Sequence, residues 1–163
     1  MRVFRRIIHM LQLADDYKVM SDLFPLWRKL QIVTALEFFC GVGKFIKLLE
    51  VGGFVVSGSE PDTDLAIEAQ RDRAAVYPYA LSDLKKFEDG QFDAVGMLRV
   101  DRAPDKAIDS VVNEGLRIST KLFFYSLVSD VLDRKIFDML DMSKVKILAR
   151  KYNDVVGVSI VKL

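Results

Sequence analysis

The sequence is poor in the residue types that build disulfides and cysteine–histidine metal sites. Its 163 residues include one cysteine and one histidine. One cysteine excludes an internal disulfide, and the two residues together cannot supply the four ligands of a structural zinc ion, so no metal site is expected. No apolar run reaches the roughly 20 residues that a transmembrane helix needs.

Positive and negative charges are nearly balanced, which argues against a strongly basic nucleic-acid-binding protein. Lysine and arginine total 24, and aspartate and glutamate total 23. A globally basic nucleic-acid-binding chain is therefore not expected, although a local basic patch stays open. The opening segment MRVFRRIIHM has arginines within its apolar stretch and no small-residue cleavage site, so no signal peptide is predicted. We expect one cytoplasmic domain over residues 1–163, since domains commonly contain about 100–150 residues.

Residues 1–32 are predicted to form an N-terminal helical segment. Apolar residues recur at helical spacing near its start, and Arg2, Arg5 and Arg6 lie between them. The arginine face is either a solvated helix surface or a contact for the phosphates of nucleic acid or lipid. The apolar stripe is expected to pack on the core, in a homodimer interface or against a partner protein. Trp27 is expected to anchor the segment on the sheet.

From residue 33 onward, short apolar runs alternate with amphipathic segments. Strands are predicted at IVTALEF, FVVSGS, AAVY, FDAVGML, KLFFYSLV, KVKILAR and VVGVSIV. Strands that alternate with helices indicate a parallel sheet with helices on both faces. Only KYND separates the last two strands, which is too short for a helical crossover, so they are predicted to form an antiparallel hairpin. The predicted fold is α/β: a doubly wound, seven-stranded, mostly parallel sheet that ends in an antiparallel hairpin.

The turn after the first strand has the features of a ligand-binding site. The apolar strand leads into Cys40, Gly41 and Gly43 and then directly into a helix. Glycine can adopt positive φ and lets a ligand approach the backbone, and a helix start offers free N–H groups. Glu37 ends the strand at the crevice where open α/β sheets bind ligands. A tight strand–helix turn also needs glycine for structural reasons, so the turn alone leaves both interpretations open.

A carboxylate follows the second strand at a suitable distance. Glu60 lies about 20 residues after the glycine turn, where an acidic residue binds the ribose hydroxyls in nucleotide-binding folds. Glu60 can equally cap the next helix or face solvent, so the position alone does not decide its role.

Together these segments resemble the class I S-adenosylmethionine-dependent methyltransferases over residues 33–163. Glu37, Gly41 and Gly43 match the first motif of the family, with Phe39 where many members carry another glycine. An F-C-G-x-G version occurs among pyrimidine carbon-5 methyltransferases. Glu60 matches the second acidic position of the family.

Two later motifs and the chain end extend the resemblance. Asp83 in ALSDL matches the acidic residue that receives the adenine amino group, with Leu84 beside the ring. The segment FDAV matches the fourth motif, and the closing antiparallel hairpin is also characteristic of the family. Ordinary nicotinamide-binding folds do not share this hairpin.

The resemblance implies S-adenosylmethionine (SAM) as the cofactor and a Rossmann-like cofactor-binding core. By this comparison, Cys40, Gly41 and Gly43 would hold the methionine portion of SAM, Glu60 its ribose, and Asp83 with Leu84 its adenine. Met97, where the chain leaves the fourth strand, would line the site of methyl transfer.

The methyl acceptor is not assigned by the sequence. Pyrimidine carbon-5 enzymes use a second cysteine as nucleophile, which this sequence lacks, so Cys40 is expected to be a packing residue. The acceptor-binding motifs of amino-nitrogen and ribose methylation are not recognisable after the fourth strand. A small molecule, a protein side chain and a nucleic acid all stay open as acceptors, and no catalytic residue is assigned.

Two other functions compete with methyl transfer. The short core and the missing acceptor motif fit a catalytically inactive SAM-binding domain that acts as a partner or regulatory module. A nicotinamide-dependent oxidoreductase would share the glycine turn and Glu60, but it does not account for Asp83 or the hairpin.

Overall fold

The structure is a computed structural model and describes residues 14–71, 75–128 and 130–163. Its α-helices are α1 (Ala14–Ser21), α2 (Phe24–Lys29), α3 (Lys44–Val51), α4 (Thr63–Arg71), α5 (Asp105–Ile118) and α6 (Asp130–Asp138). Two short 3-10 helices span Leu81–Lys86 and Val100–Arg102. The strands are β1 (Thr34–Phe38), β2 (Val55–Ser59), β3 (Ala75–Tyr77), β4 (Phe92–Met97), β5 (Ser119–Leu127), β6 (Val145–Tyr152) and β7 (Val155–Lys162).

The seven strands form one sheet in the order β3-β2-β1-β4-β5-β7-β6. The pairs among β1 to β5 are parallel, and β7 runs antiparallel to both β5 and β6. This arrangement confirms the predicted sheet and its closing hairpin. The order reverses between β1 and β4, because the chain extends outward from β1 through β2 and β3 before β4 pairs with the other side of β1. Ligands bind at such a reversal in open α/β sheets.

Helices cover both faces of the sheet, as the alternation of apolar runs predicts. One apolar core contains buried side chains of α1, α2, α3 and α4, and the other contains those of the first 3-10 helix, α5 and α6. In α5 the residues Ile108, Val111, Val112 and Gly115 share a helical face and are all buried. Gly115 lets this helix approach the sheet closely, since a Cβ there would lie 2.2 Å from the Phe123 ring.

The two helices of the N-terminal segment that the structure describes pack directly on the sheet. The Trp27 indole is fully buried, and its Nε1 donates to the Ser159 hydroxyl on β7 at 2.8 Å. Trp27 therefore anchors α2 on the sheet, as the sequence predicts. The predicted face of Arg2, Arg5 and Arg6 lies outside the described residues. Within the described ranges, no helix combines the length and the apolar character needed to cross a membrane.

Candidate functional site

A large cavity opens at the carboxyl ends of β1 and β4, where the strand order reverses. Its volume of about 1050 Å³ reaches the upper end of the roughly 300–1,000 Å³ that small-molecule pockets occupy. Of the residues predicted for the site, four line the cavity: Glu37, Cys40, Gly41 and Met97. The other four are not among the lining residues: Gly43, Glu60, Asp83 and Leu84.

In the turn between β1 and α3, every second residue from Phe39 to Gly43 has a positive φ. Phe39, Gly41 and Gly43 have φ values of 54°, 57° and 79°. A Cβ added to Gly41 would meet no atom within 4 Å, so this part of the backbone borders open space of the cavity. A ligand can therefore approach the Gly41 backbone directly, and a side chain at this position would be strained by the positive φ.

Phe39 adopts this left-handed conformation without being glycine. Such a conformation costs a bulky residue about 1–3 kcal/mol, and residues of this kind cluster at functional sites. The side chain is half-buried and lines the cavity. Phe39 therefore narrows the cavity next to the glycine turn.

Glu37 places a carboxyl group at the cavity wall, and one oxygen of this group accepts no hydrogen bond from the described residues. The residue is 4% exposed, and its Oε2 has no hydrogen-bond partner among the described residues. Burial, with a smaller contribution from Glu60, raises the pKa of Glu37 well above its ordinary value. Tyr17 of α1 lines the same cavity, and burial together with the Glu37 and Asp16 carboxylates raises its pKa to about 12. A buried, unpartnered oxygen next to open space fits a ligand that brings a hydrogen-bond donor.

Glu60 supports the glycine turn from the end of β2. Its Oε2 accepts a hydrogen bond from the Gly41 N–H at 2.8 Å, and its Oε1 accepts one from the Asp62 N–H at 2.9 Å. The carboxylate is almost completely buried. Glu60 therefore holds the turn and the chain before α4 in place, and any contact with a ribose would be additional to these bonds.

Cys40 packs beneath the turn. Its side chain is buried against β2, where a Cβ on Gly58 would lie 2.6 Å from the Cys40 Sγ. Burial and the nearby carboxylates of Glu37 and Glu60 raise the pKa of the thiol far above its ordinary value. The thiol is therefore protonated at neutral pH, which suits packing and not nucleophilic attack.

The first 3-10 helix presents a different residue to the cavity from the ones predicted. Asp83 is partly exposed; its carboxylate accepts a hydrogen bond from the Ala80 N–H and pairs with Lys86 at 2.8 Å. These contacts lower its pKa, the bond to Lys86 contributing most. Leu84 is fully buried in the core, whereas Leu81 lines the cavity. The predicted roles of Asp83 and Leu84 at an adenine stay predictions.

The segment after β4 forms the wall opposite the glycine turn. Met97 and Leu98 line the cavity, followed by Arg99 and Arg102. Arg99 has a φ of 52°, so it adopts the same strained left-handed conformation as Phe39. Tyr17, Leu81 and Arg99 also line the cavity and are not among the residues predicted from the sequence. The signal for Arg99 is that a polar residue follows closely after the end of a parallel strand.

Metal binding is not indicated in the described part of the chain. Within it, no group of three or more histidine, cysteine, aspartate or glutamate side chains is arranged to hold a metal ion.

Comparison with solved structures identifies the fold. The chain superposes on the magnesium protoporphyrin IX methyltransferase of Synechocystis PCC 6803 with bound SAM, with a TM-score of 0.67 at 16% identity over 88% of this chain and 76% of that one. A SAM-dependent methyltransferase of Thermotoga maritima matches with a TM-score of 0.65 at 15% identity, covering 98% and 97% of the two chains. The chain has the class I methyltransferase fold.

Other structures agree with this fold assignment. A SAM-dependent methyltransferase from Archaeoglobus fulgidus matches with a TM-score of 0.63 at 12% identity, over 94% of this chain and 99% of that one. No protein-family model and no curated protein matches the sequence. The class I methyltransferase fold is thus evident in the three-dimensional arrangement, while sequence identity to these structures is only 12–16%.

Proposed function

We propose that this protein is a SAM-dependent methyltransferase whose cofactor occupies the cavity at the ends of β1 and β4. The observation that supports this most directly is that Glu37 and Gly41 lie on the same wall of the cavity. One presents a buried, unpartnered carboxyl oxygen, and the other an open stretch of backbone, on the same cavity wall of a class I methyltransferase fold. These features suit a ligand that has a hydrogen-bond donor for Glu37 and a surface that can lie against the Gly41 backbone.

The cofactor-holding roles follow from the places of the residues around the cavity. Glu37 would accept a hydrogen bond from the bound cofactor, and the Gly41 backbone would lie against its methionine portion. Gly43 and Cys40 shape the turn, and Glu60 would contact the ribose while it holds Gly41. These roles stay proposals, as does an adenine contact by Asp83 and Leu84.

The cofactor would supply a methyl group on a positively charged sulfur. That methyl group would pass to a nucleophilic atom of the acceptor, and the sulfur would keep the electron pair of the broken carbon–sulfur bond. Met97 and Leu98 give this part of the cavity an apolar wall that excludes water and aligns the reacting groups. A strong base is not needed when the acceptor is already nucleophilic.

The organisation of the whole chain is part of the same proposal. We infer a single domain over residues 1–163, a cytoplasmic location, and a homodimer or partner contact through the N-terminal helix. One matching structure is itself a complex, between the Haloferax volcanii Trm112 methyltransferase activator and a methyltransferase assigned from its sequence, with a TM-score of 0.65 at 12% identity, covering 80% and 82% of the two chains. That structure gives an example of a protein of this fold with a protein partner.

Calorimetric titration with SAM, S-adenosylhomocysteine (SAH) and NAD tests the cofactor. Binding of SAM and SAH but not NAD is expected, and binding of NAD alone would contradict the proposal. Transfer of labelled methyl from SAM to fractions of a cell extract then tests catalysis. SAM binding without transfer to any fraction would favour the inactive, regulatory domain.

A further inference from the structure

We propose that Tyr17 is a ligand-binding residue whose hydroxyl donates a hydrogen bond to the carboxylate in the amino-acid moiety of SAM. Tyr17 lies on α1, before the segments that match the motifs of the family, and its side chain lines the cavity together with Glu37. This inference rests on the proposed function, because the amino-acid moiety is that of the proposed cofactor. It adds a helix that precedes the first strand to the binding site.

The first support is the close packing of α1 on the sheet, which fixes the position of Tyr17. The preceding residue, Asp16, is fully buried and accepts a hydrogen bond from the Ser126 hydroxyl on β5. Val19 is also fully buried, and a Cβ added to Gly157 of β7 would lie 2.9 Å from the Val19 Cγ2. Because α1 is held in this way, Tyr17 needs little reordering to bind a ligand, and this favours affinity.

The second support is the environment of the Tyr17 side chain. Its ring stacks on Phe45 of α3, with 6.1 Å between the ring centroids and 7° between the ring planes, and Phe45 also lines the cavity. Burial, with smaller contributions from Glu37 and Asp16, raises the pKa of the phenol to about 12. The hydroxyl is therefore protonated at neutral pH, and none of the described residues accepts a hydrogen bond from it. A ligand can take this donor.

The third support is the acceptor that lies near this donor. The Glu37 Oε2 has no hydrogen-bond partner among the described residues, and its carboxyl group is close enough to Tyr17 to raise the pKa of the phenol. An unpartnered donor and an unpartnered acceptor in one cavity match an α-amino acid, in which an ammonium and a carboxylate are attached to the same carbon. The ammonium donates to Glu37 and the carboxylate accepts from Tyr17. Hydrogen bonds of ionised groups are stronger than those between neutral groups.

Lys44 is a second candidate for the carboxylate of the ligand. It begins α3, lines the cavity and carries a positive charge, but it is exposed, whereas Tyr17 is half-buried. A half-buried donor forms the stronger hydrogen bond, because less water competes for it. This difference favours Tyr17, and the test includes both residues.

Calorimetric titration with SAM and with decarboxylated SAM tests the assignment, because both ligands carry the adenosine, the sulfonium and the amino group and only SAM has the carboxylate. The wild-type protein should bind SAM about tenfold or more tightly than decarboxylated SAM. Tyr17→Phe keeps the ring and removes the hydroxyl. It should weaken SAM binding about tenfold and change the affinity for decarboxylated SAM by less than about twofold. Tyr152→Phe removes a hydroxyl from a ring on β6 outside the cavity lining and should change neither affinity.

Several results would overturn the assignment. Unchanged SAM affinity in Tyr17→Phe would do so and would leave the proposed function intact. An equal loss for both ligands would mean that Tyr17 shapes the cavity without contacting the carboxylate. Equal binding of the two ligands by the wild-type protein, or a preference for SAM that Lys44→Gln removes and Tyr17→Phe keeps, would also contradict it. Absence of SAM binding by the wild-type protein would overturn the proposed function together with this assignment.

Discussion

The Glu60 carboxylate accepts a hydrogen bond from the backbone N–H of Gly41, with 2.8 Å between Oε2 and N. This contact joins the end of β2 to the turn that follows β1, so two neighbouring strands position one wall of the cavity. It also means that Glu60 stabilises the turn before any ligand binds. A substitution at Glu60 therefore affects both the folded protein and its ligand binding.

Glu60→Gln is expected to weaken SAH binding by about tenfold or more. The amide keeps one acceptor oxygen and loses the second, so one of the two backbone N–H groups loses its partner. This loss lowers the free energy of unfolding by about 1–3 kcal/mol. SAH binding weakens because the Gly41 turn is held less firmly and the proposed carboxylate contact with the ribose is lost. Calorimetry with SAH and urea unfolding measure the two effects separately. Glu50→Gln, at an exposed position near the end of α3, is the control. Unchanged SAH affinity in Glu60→Gln would show that Glu60 does not contribute to cofactor binding.

Gly41→Val is expected to abolish SAH binding. The new side chain would enter the cavity, and its β-branch would be strained at a φ of 57°. Gly53→Val is a matched control, because Gly53 also has a positive φ and open space around its Cβ position but lies between α3 and β2. Both variants should lose about 1–3 kcal/mol of stability from strain. Normal SAH binding by a folded Gly41→Val protein would place the cofactor elsewhere.

Cys40→Ala is expected to keep SAH affinity within about tenfold, a difference of roughly 1.4 kcal/mol. The thiol is buried and its pKa is raised, so it should also react slowly with Ellman's reagent at pH 8 in the folded protein and rapidly in urea. Rapid reaction of the folded protein would show an accessible thiolate. A covalent adduct between Cys40 and an acceptor would restore the nucleophilic mechanism.

Glu37→Gln is expected to change how stability depends on pH. The pKa of Glu37 is raised in the folded protein, so the folded state holds this proton more tightly than the unfolded state. The wild-type protein therefore loses stability as pH rises above the ordinary value of 4.5 toward the folded pKa. The variant lacks this loss. Urea unfolding should show that the difference between variant and wild type grows in favour of the variant from pH 4 to pH 8; a constant difference would mean that Glu37 is not the titrating group.

The fold could be predicted from the sequence because its determinants are local. Each predicted strand is an apolar run whose neighbours are helices or turns. The segment KYND between the last two predicted strands is too short for a helical crossover, and in the structure only Asn153 and Asp154 separate β6 from β7. The detail of the segment LSDLKKF, a 3-10 helix of six residues in the structure, does not follow from these local patterns.

The site could be predicted only in part, for a physical reason. Glu37 and Gly41 belong to one contiguous motif, and both line the cavity. Tyr17 and Arg99 reach the cavity through packing of α1 and a hydrogen bond from Arg99 to Ser126, 27 residues along the chain. Such long-range contacts leave no local pattern. The motif position of Asp83 likewise gives no information about the direction of its side chain.

Hydrogen–deuterium exchange with and without SAH tests the central claim most directly, because it locates a bound ligand along the chain. We expect slower exchange of backbone amides in residues 39–44 and 97–102 when SAH is present, with the β6–β7 hairpin unchanged. Protection confined to other segments, or no protection at SAH concentrations that saturate binding, would contradict a cofactor site at the ends of β1 and β4.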